Sequence, residues 1–140
     1  MLDSGYVDIT KSVTEALKQT ENSCRRLIFM HSAYSEPSSR SKAPWFLRWT
    51  LLAYIGPILD NMREAEKYLE KEEDFNYTVI LPGGLKNGPG TSLGFQTKED
   101  WLIEGVSMMI QRADVARFMV KTMEEDLHFK KIIAIATTTN

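Results

Sequence analysis

Between residues 8 and 19 the apolar side chains Ile9, Val13, Ala16 and Leu17 recur at helical spacing, and Asp8 stands where an N-cap would. The spacing predicts a helix with one buried face. Arg25 and Arg26 lead into LIFM, a continuous apolar run that suits a strand covered on both faces, as in a parallel sheet. That strand ends at His31 and Ser32. Residues 35–44, SEPSSRSKAP, read as a surface loop because serine and proline dominate them. Pro57 then suits the first turn of a helix whose stripe is Ile58, Met62, Ala65 and Leu69, with Arg63, Glu64, Glu66, Lys67 and Glu70 facing water. The run EKEED closes it as a solvated helix end.

YTVIL, residues 77–81, predicts a second strand, and the order strand, helix, strand predicts a right-handed crossover within a parallel sheet. Residues 94–103 carry a weaker pattern of short edge strands. Over Arg112–Glu124 a further helical face is formed by Val115, Ala116, Met119, Val120 and Met123, with the methionines as core filler. Asp114 lies in its first turn, where a negative charge favours the helix dipole. KIIAIAT is one more buried strand. These elements predict an α/β fold: a partial, doubly wound, mostly parallel Rossmann-like sheet with helices on both faces, in a single domain over residues 1–140.

Composition narrows the function classes. The chain has 140 residues, 17 basic and 19 acidic side chains and a formal charge of −2, so nothing points to nucleic acid. The apolar share of 43% is enough for a core. Cys24 is the lone cysteine, which excludes an internal disulfide and makes a reducing compartment the default. MLDSGYVDITK has neither the basic start nor the apolar run of a signal peptide, and the expectation is a cytoplasmic protein. The longest apolar stretch, residues 45–59, is interrupted by Arg48 and by Gly56-Pro57 and falls short of the ~20 residues a spanning helix needs. Packing over the core or over a substrate cleft is the favoured reading. An interface built on Trp45, Phe46 and Trp49 around Arg48 is the alternative.

In open α/β sheets ligands sit beyond the carboxyl ends of the strands, here Ser32 and its neighbours together with residues 82–87. NYTVILPGGLKNGPG, residues 76–90, runs from a strand into glycines without forming a G-x-G-x-x-G turn or placing a helix N-terminus to receive a phosphate. Two readings of its glycines stay open. One is a turn that demands positive φ; the other is close approach of the backbone to a flat neutral group such as a nicotinamide ring. His31 has the unperturbed pKa of a general acid, yet alternation along the strand points it away from Ser32. His128 reads as a surface residue near a helix end. Arg25 and Arg26 would favour a thiolate at Cys24, but the sequence supplies no base partner.

FMHSAYS, LDNMREAEKYLEKEEDFNYTVILPGGLKNGPGT and IQRADVARFMVKTM together resemble the C-terminal two-thirds of the NAD(P)-binding atypical short-chain reductases. These include the NmrA-like proteins and the flavin reductases of the biliverdin reductase B type. The resemblance covers most of residues 8–136, and its most specific piece is EKYL…YTVILPGGL. It implies NADP or NAD as cofactor and a small acceptor such as a flavin as substrate. It also implies Ser32 as the catalytic serine near the nicotinamide, with Ala33 and Tyr34 continuing its loop and Pro82, Gly83, Gly84 and Leu85 lining the nicotinamide through their backbone.

The departures from that family are as definite. None of Tyr6, Tyr34, Tyr54, Tyr68 and Tyr77 is followed four residues later by a lysine. Met62 stands where relatives place a lysine or histidine, and Gly84 where the flavin reductase loop carries a histidine. Hydride transfer to a flavin can proceed by positioning alone, with the cofactor carrying the chemistry. The family's N-terminal glycine-rich segment has no counterpart in the 140 residues. The expectation is therefore a reductase-like chain impaired on its own, whose uncovered sheet self-associates or finds a partner. The alternative is a non-catalytic interaction module on the same sheet.

Overall fold

The computed structural model describes residues 5–20 and 25–138, so Cys24 lies outside the described residues. In chain order the elements are α1 (Gly5–Gln19), β1 (Arg26–Met30), α2 (Pro37–Arg40), α3 (Trp45–Leu47) running into a π-helical turn (Arg48–Leu52), α4 (Gly56–Glu70), β2 (Asn76–Pro82), β3 (Gly84–Lys86), β4 (Phe95–Lys98), β5 (Met109–Gln111), α5 (Arg112–Glu124) and β6 (Lys131–Thr137). The main sheet has the order β1-β2-β6-β4, and β3 pairs with β5 in a small second sheet. β1, β2 and β6 are parallel, as are β3 and β5, while β4 runs antiparallel along the edge of β6. The crossover from β1 through α4 to β2 and the edge strand within residues 94–103 follow the sequence pattern.

Strand alternation sorts the core into two faces. Tyr77, Val79 and Leu81 pack with Leu69 of α4 and with Leu27 and Phe29 of β1. On the other face, Ile80, Ile133 and Ile135 pack with Val115 and Phe118 of α5 and with Ile28. A third cluster, Tyr34, Ala43, Leu52, Leu59 and Met62, closes the end of the sheet where β1 and β2 finish. Pro57 lies in the first turn of α4, where its missing N–H costs no intrahelical bond.

Several local expectations are corrected. α1 begins at Gly5, so Asp8 lies in its first turn and is not its cap. The buried positions of α1 are Thr10 and Thr14, while Ile9 and Ala16 are exposed. Burial of Thr14 costs little because its hydroxyl donates within the helix and meets the Tyr68 hydroxyl at 2.9 Å. β1 is only half-buried, because it is an edge strand of the main sheet. On α5 the buried residues are Asp114, Val115, Phe118 and Thr122, and Ala116, Val120 and Met123 face outward. Within EKEED, Glu72 turns inward to Lys18 at 2.8 Å. His128 is half-buried and stands near the Phe118 ring instead of lying on the surface.

The largest differences concern residues 45–54 and Glu66. Trp45, Phe46, Trp49 and Tyr54 are 73%, 56%, 76% and 85% exposed, so these aromatics do not cover the core. Only Leu52 of that stretch is buried. Glu66 is fully buried on the inner face of α4 beside Ala65 and Leu69. No helix among the described residues is long and apolar enough to cross a membrane.

Candidate active site

The loop that follows β1 is held by backbone bonds to β2 and by side chains that bond to its own backbone. His31 N–H donates to Ile80 O at 3.0 Å and Ala33 N–H to Pro82 O at 2.9 Å, which carries the β1–β2 ladder past the end of the strand. Ser32 Oγ accepts from Tyr34 N–H at 3.2 Å, and Ser35 N–H closes the turn onto Ser32 O at 3.0 Å. Arg40 then donates to the carbonyls of Tyr34 and Ser35, each at 2.8 Å, and Ser39 donates to Ala33 O at 2.7 Å. With its carbonyls occupied in this way, the loop presents a preset surface.

Beyond the carboxyl ends of β1, β2 and β6 lies a cleft of about 470 Å³ between Tyr34 and the segment 102–108. It continues inward to a narrow recess between Ala33, Gly83 and the backbone of Ala134, Ile135 and Ala136. Leu102, Ile103, Val106 and Met108 form its apolar wall. Tyr34 is 6% exposed and packs on Leu59 and Met62. Burial pushes the pKa of its hydroxyl up, so it remains a neutral phenol able to donate a hydrogen bond. At the rim Lys42 and Glu104 pair at 2.6 Å; their hydrogen bond raises the lysine pKa and lowers the carboxyl pKa. The titratable side chains lining the cleft are thus a phenol held neutral and one rim ion pair. None is poised as a proton donor near neutrality.

The glycine stretch has a specific cause at its start. Gly84 N–H donates to Met108 O at 2.6 Å, and a Cβ on Gly83 would stand 2.5 Å from that same oxygen. A Cβ on Gly84 would collide with the sulfur of Met109. Neither glycine has positive φ; in this region that conformation belongs to Gly90 and Gly105. The close approach inferred from the sequence is therefore made, at these two positions, by the protein's own segment 108–109.

The predicted site residues are brought together unequally. Tyr34 lines the cleft, and Ala33 and Gly83 line the narrow recess behind it. Ser32 is half-buried behind them with its oxygen engaged by Tyr34 N–H, and buried Pro82 holds Ala33 through its carbonyl. Gly84 and Leu85 pair with β5, and Leu85 packs toward Ile110 and Val115. His31 follows the parity of Leu27 and Phe29 and meets Glu66 of α4 at 3.1 Å, buried and away from the cleft. Sequence reasoning missed the wall at residues 102–108 and the inward turn of Glu66. The apolar triplet Trp101-Leu102-Ile103 inside a polar stretch was the available signal for the wall.

An apolar cleft edged by backbone and one phenol accommodates a flat, weakly polar ring, and the nicotinamide end of NAD(P)H fits that description. Among the described residues no glycine-rich turn runs from the main sheet into a helix N-terminus, so no cradle for the pyrophosphate accompanies it.

Comparisons with known proteins agree with this fold. An uncharacterized chloroplastic protein of Arabidopsis thaliana is 40% identical over 89 residues, spanning 63% of this chain and 30% of its own length. Oxidoreductase tpcG of Aspergillus fumigatus is 27% identical over 117 residues, 77% of this chain and 44% of its own. Among solved structures, the anaerobillin reductase ChuY of Escherichia coli O157:H7 superimposes with a TM-score of 0.75 at 18% identity, covering 98% of this chain and 61% of that one. A Streptococcus pneumoniae protein assigned as an NADH-flavin reductase gives 0.69 at 16% identity, over 95% and 64%. The chain thus spans less than half the length of these two curated relatives. The model of a family described as NAD(P)H-binding matches residues 3–126, and this chain belongs to that NAD(P)H-binding family.

Proposed function

We propose that this chain forms the nicotinamide and acceptor side of an NAD(P)H-dependent reductase for a flavin or a similarly flat small acceptor. The observation that carries the reading is that Tyr34 lines an apolar-walled cleft at the carboxyl ends of parallel strands, with Ala33 and Gly83 in the narrow recess behind it and no side-chain acid or base poised near neutrality. Bound there, NAD(P)H supplies a hydride, and the acceptor takes its proton from solvent. The residues' own work is placement. The backbone around Ala33 and Gly83 fixes the ring's edge, and the Tyr34 hydroxyl donates a hydrogen bond. Leu102, Ile103 and Val106 exclude water from the reacting faces. Ser32 acts by fixing the Tyr34 amide. Similarity to an anaerobillin reductase and to a protein assigned as an NADH-flavin reductase supports the choice of a flat conjugated acceptor.

The test is oxidation of NADPH by the purified chain with FMN or FAD as acceptor, followed by loss of NADPH absorbance, with an NADPH titration beside it. Lacking a pyrophosphate cradle among its described residues, the chain is expected to bind NADPH only in the ~mM range while still showing flavin-dependent turnover. No turnover at high NADPH, together with no NADPH-induced shift of the Ala33, Tyr34 or Gly83 amides in nuclear magnetic resonance spectra, would overturn the reading.

A second reading has its own observation. Trp45, Trp49 and Tyr54, each more than 70% exposed, form an aromatic surface of the kind enriched at protein interfaces. A non-catalytic interaction module would use that surface and leave the cleft unused.

A further inference from the structure

Glu66 is fully buried behind the cleft, and each of its two oxygens meets a residue that adjoins a different wall of it. Oε1 lies 3.1 Å from His31 Nδ1, and Oε2 accepts the Trp101 indole N–H at 3.2 Å. His31 immediately precedes the Ser32, Ala33 and Tyr34 turn, whereas Trp101 immediately precedes Leu102 and Ile103 of the opposite wall. Arg63 reinforces the same connection. Its guanidinium lies 3.5 Å from Glu66 Oε2, pairs with Glu36 of the first wall at 2.7 Å and with Glu70 at 3.1 Å, and stacks over the Trp101 ring with its carbon 4.9 Å from the centroid. We propose that Glu66 is a positioning residue that sets the width of the cleft by tying its two walls to one buried carboxylate. The proposal rests on the cleft being the reductase site.

The chemistry explains why a carboxylate is needed there. Both partners approach with hydrogens, the indole N–H from one side and the imidazole from the other, and a carboxylate can accept from both at once. A glutamine offers a single acceptor, so its NH₂ group must face either Trp101, which cannot accept, or His31. If it faces His31, Nδ1 must become the acceptor and the ring hydrogen must move to Nε2. That atom is buried without a partner. The Glu66→Gln change would therefore break the connection to one wall or leave a buried N–H unsatisfied, at almost unchanged volume.

Trp101→Phe and Glu66→Gln in the whole chain test this through two readouts. Hydrogen exchange at the Ala33 and Tyr34 amides should accelerate ~5-fold or more in Trp101→Phe, although residue 101 belongs to the other wall. The KM for FMN in NADPH oxidation should rise ~10-fold in both variants, with kcat changed much less, because misplaced walls weaken acceptor binding before they alter the transferred hydride. Unchanged exchange at residues 33 and 34 in both variants would overturn the proposal. If the parent chain oxidises no NADPH, the reductase reading fails by itself, and the exchange measurement still decides whether Glu66 couples the walls.

Discussion

The carbonyl oxygen of Met108 receives the Gly84 N–H at 2.6 Å and sits 2.5 Å from where a Cβ on Gly83 would stand. Gly83 thus lacks a side chain because the backbone of another segment lies against it, whereas at Gly84 the close neighbour is the movable side chain of Met109.

Gly83→Ala should therefore destabilise the protein by roughly 1–3 kcal/mol, the usual cost of overpacking, read as a lower urea midpoint. Gly56→Ala is the control. Nothing lies within 4 Å of a Cβ there, so the same change should cost less than at Gly83, the remaining cost coming from Pro57, which disfavours helical dihedral angles in a preceding residue that has a Cβ. Equal effects at the two sites would remove the Met108 contact as the reason for Gly83.

Ser32→Ala removes the acceptor for the Tyr34 amide without touching the cleft lining. Under the proposed function, flavin-dependent NADPH oxidation should fall by ~10-fold, the equivalent of one lost hydrogen bond of about 1.4 kcal/mol. Parent-like kcat/KM would leave Ser32 as a turn residue only.

His128 yields a pH prediction. Burial, its largest influence, lowers the imidazole pKa from the ordinary 6.5; Arg26 and Lys131 push the same way and Glu99 opposes them. The unfolded chain then binds the proton more readily than the folded one. Its contribution to stability is complete above about pH 6.5 and is lost as pH falls through and below that value. Because His128 has a φ of 59°, asparagine, which tolerates the left-handed region, is the appropriate replacement. The stability of the parent should fall more steeply from about pH 7 to 5 than that of His128→Asn. Parallel pH curves would rule the histidine out.

Replacing Trp45 and Trp49 together by serine should leave thermal stability almost unchanged, within about 0.5 kcal/mol, because both indoles face solvent. If the aromatic surface joins copies of the chain, sedimentation should shift toward the monomer in the same variant. A large drop in thermal stability would show that these indoles are covered in the folded protein.

The elements themselves were legible because they rest on local geometry. The stripe of Met62, Ala65 and Leu69, the alternation through Tyr77, Val79 and Leu81 and the apolar run of β6 each reflect a period set by backbone dihedral angles, which neighbouring residues suffice to reveal. From these came the parallel sheet and the divergence of His31 from Ser32. Tertiary structure decided what depends on distant partners. Glu66 and Arg63 look alike as charged residues of one helix, but Glu66 is buried because His31 and Trp101, each 35 positions away, meet its two oxygens. The glycines at 83 and 84 announce a close approach, yet only the path of residues 108–109 says what approaches. The aromatics at 45–54 have the composition of a core segment. They face water because Leu52 and half-buried Leu47 are the residues of that stretch that turn inward, and hydrophobicity by itself does not choose which side of a short helical segment the fold will cover.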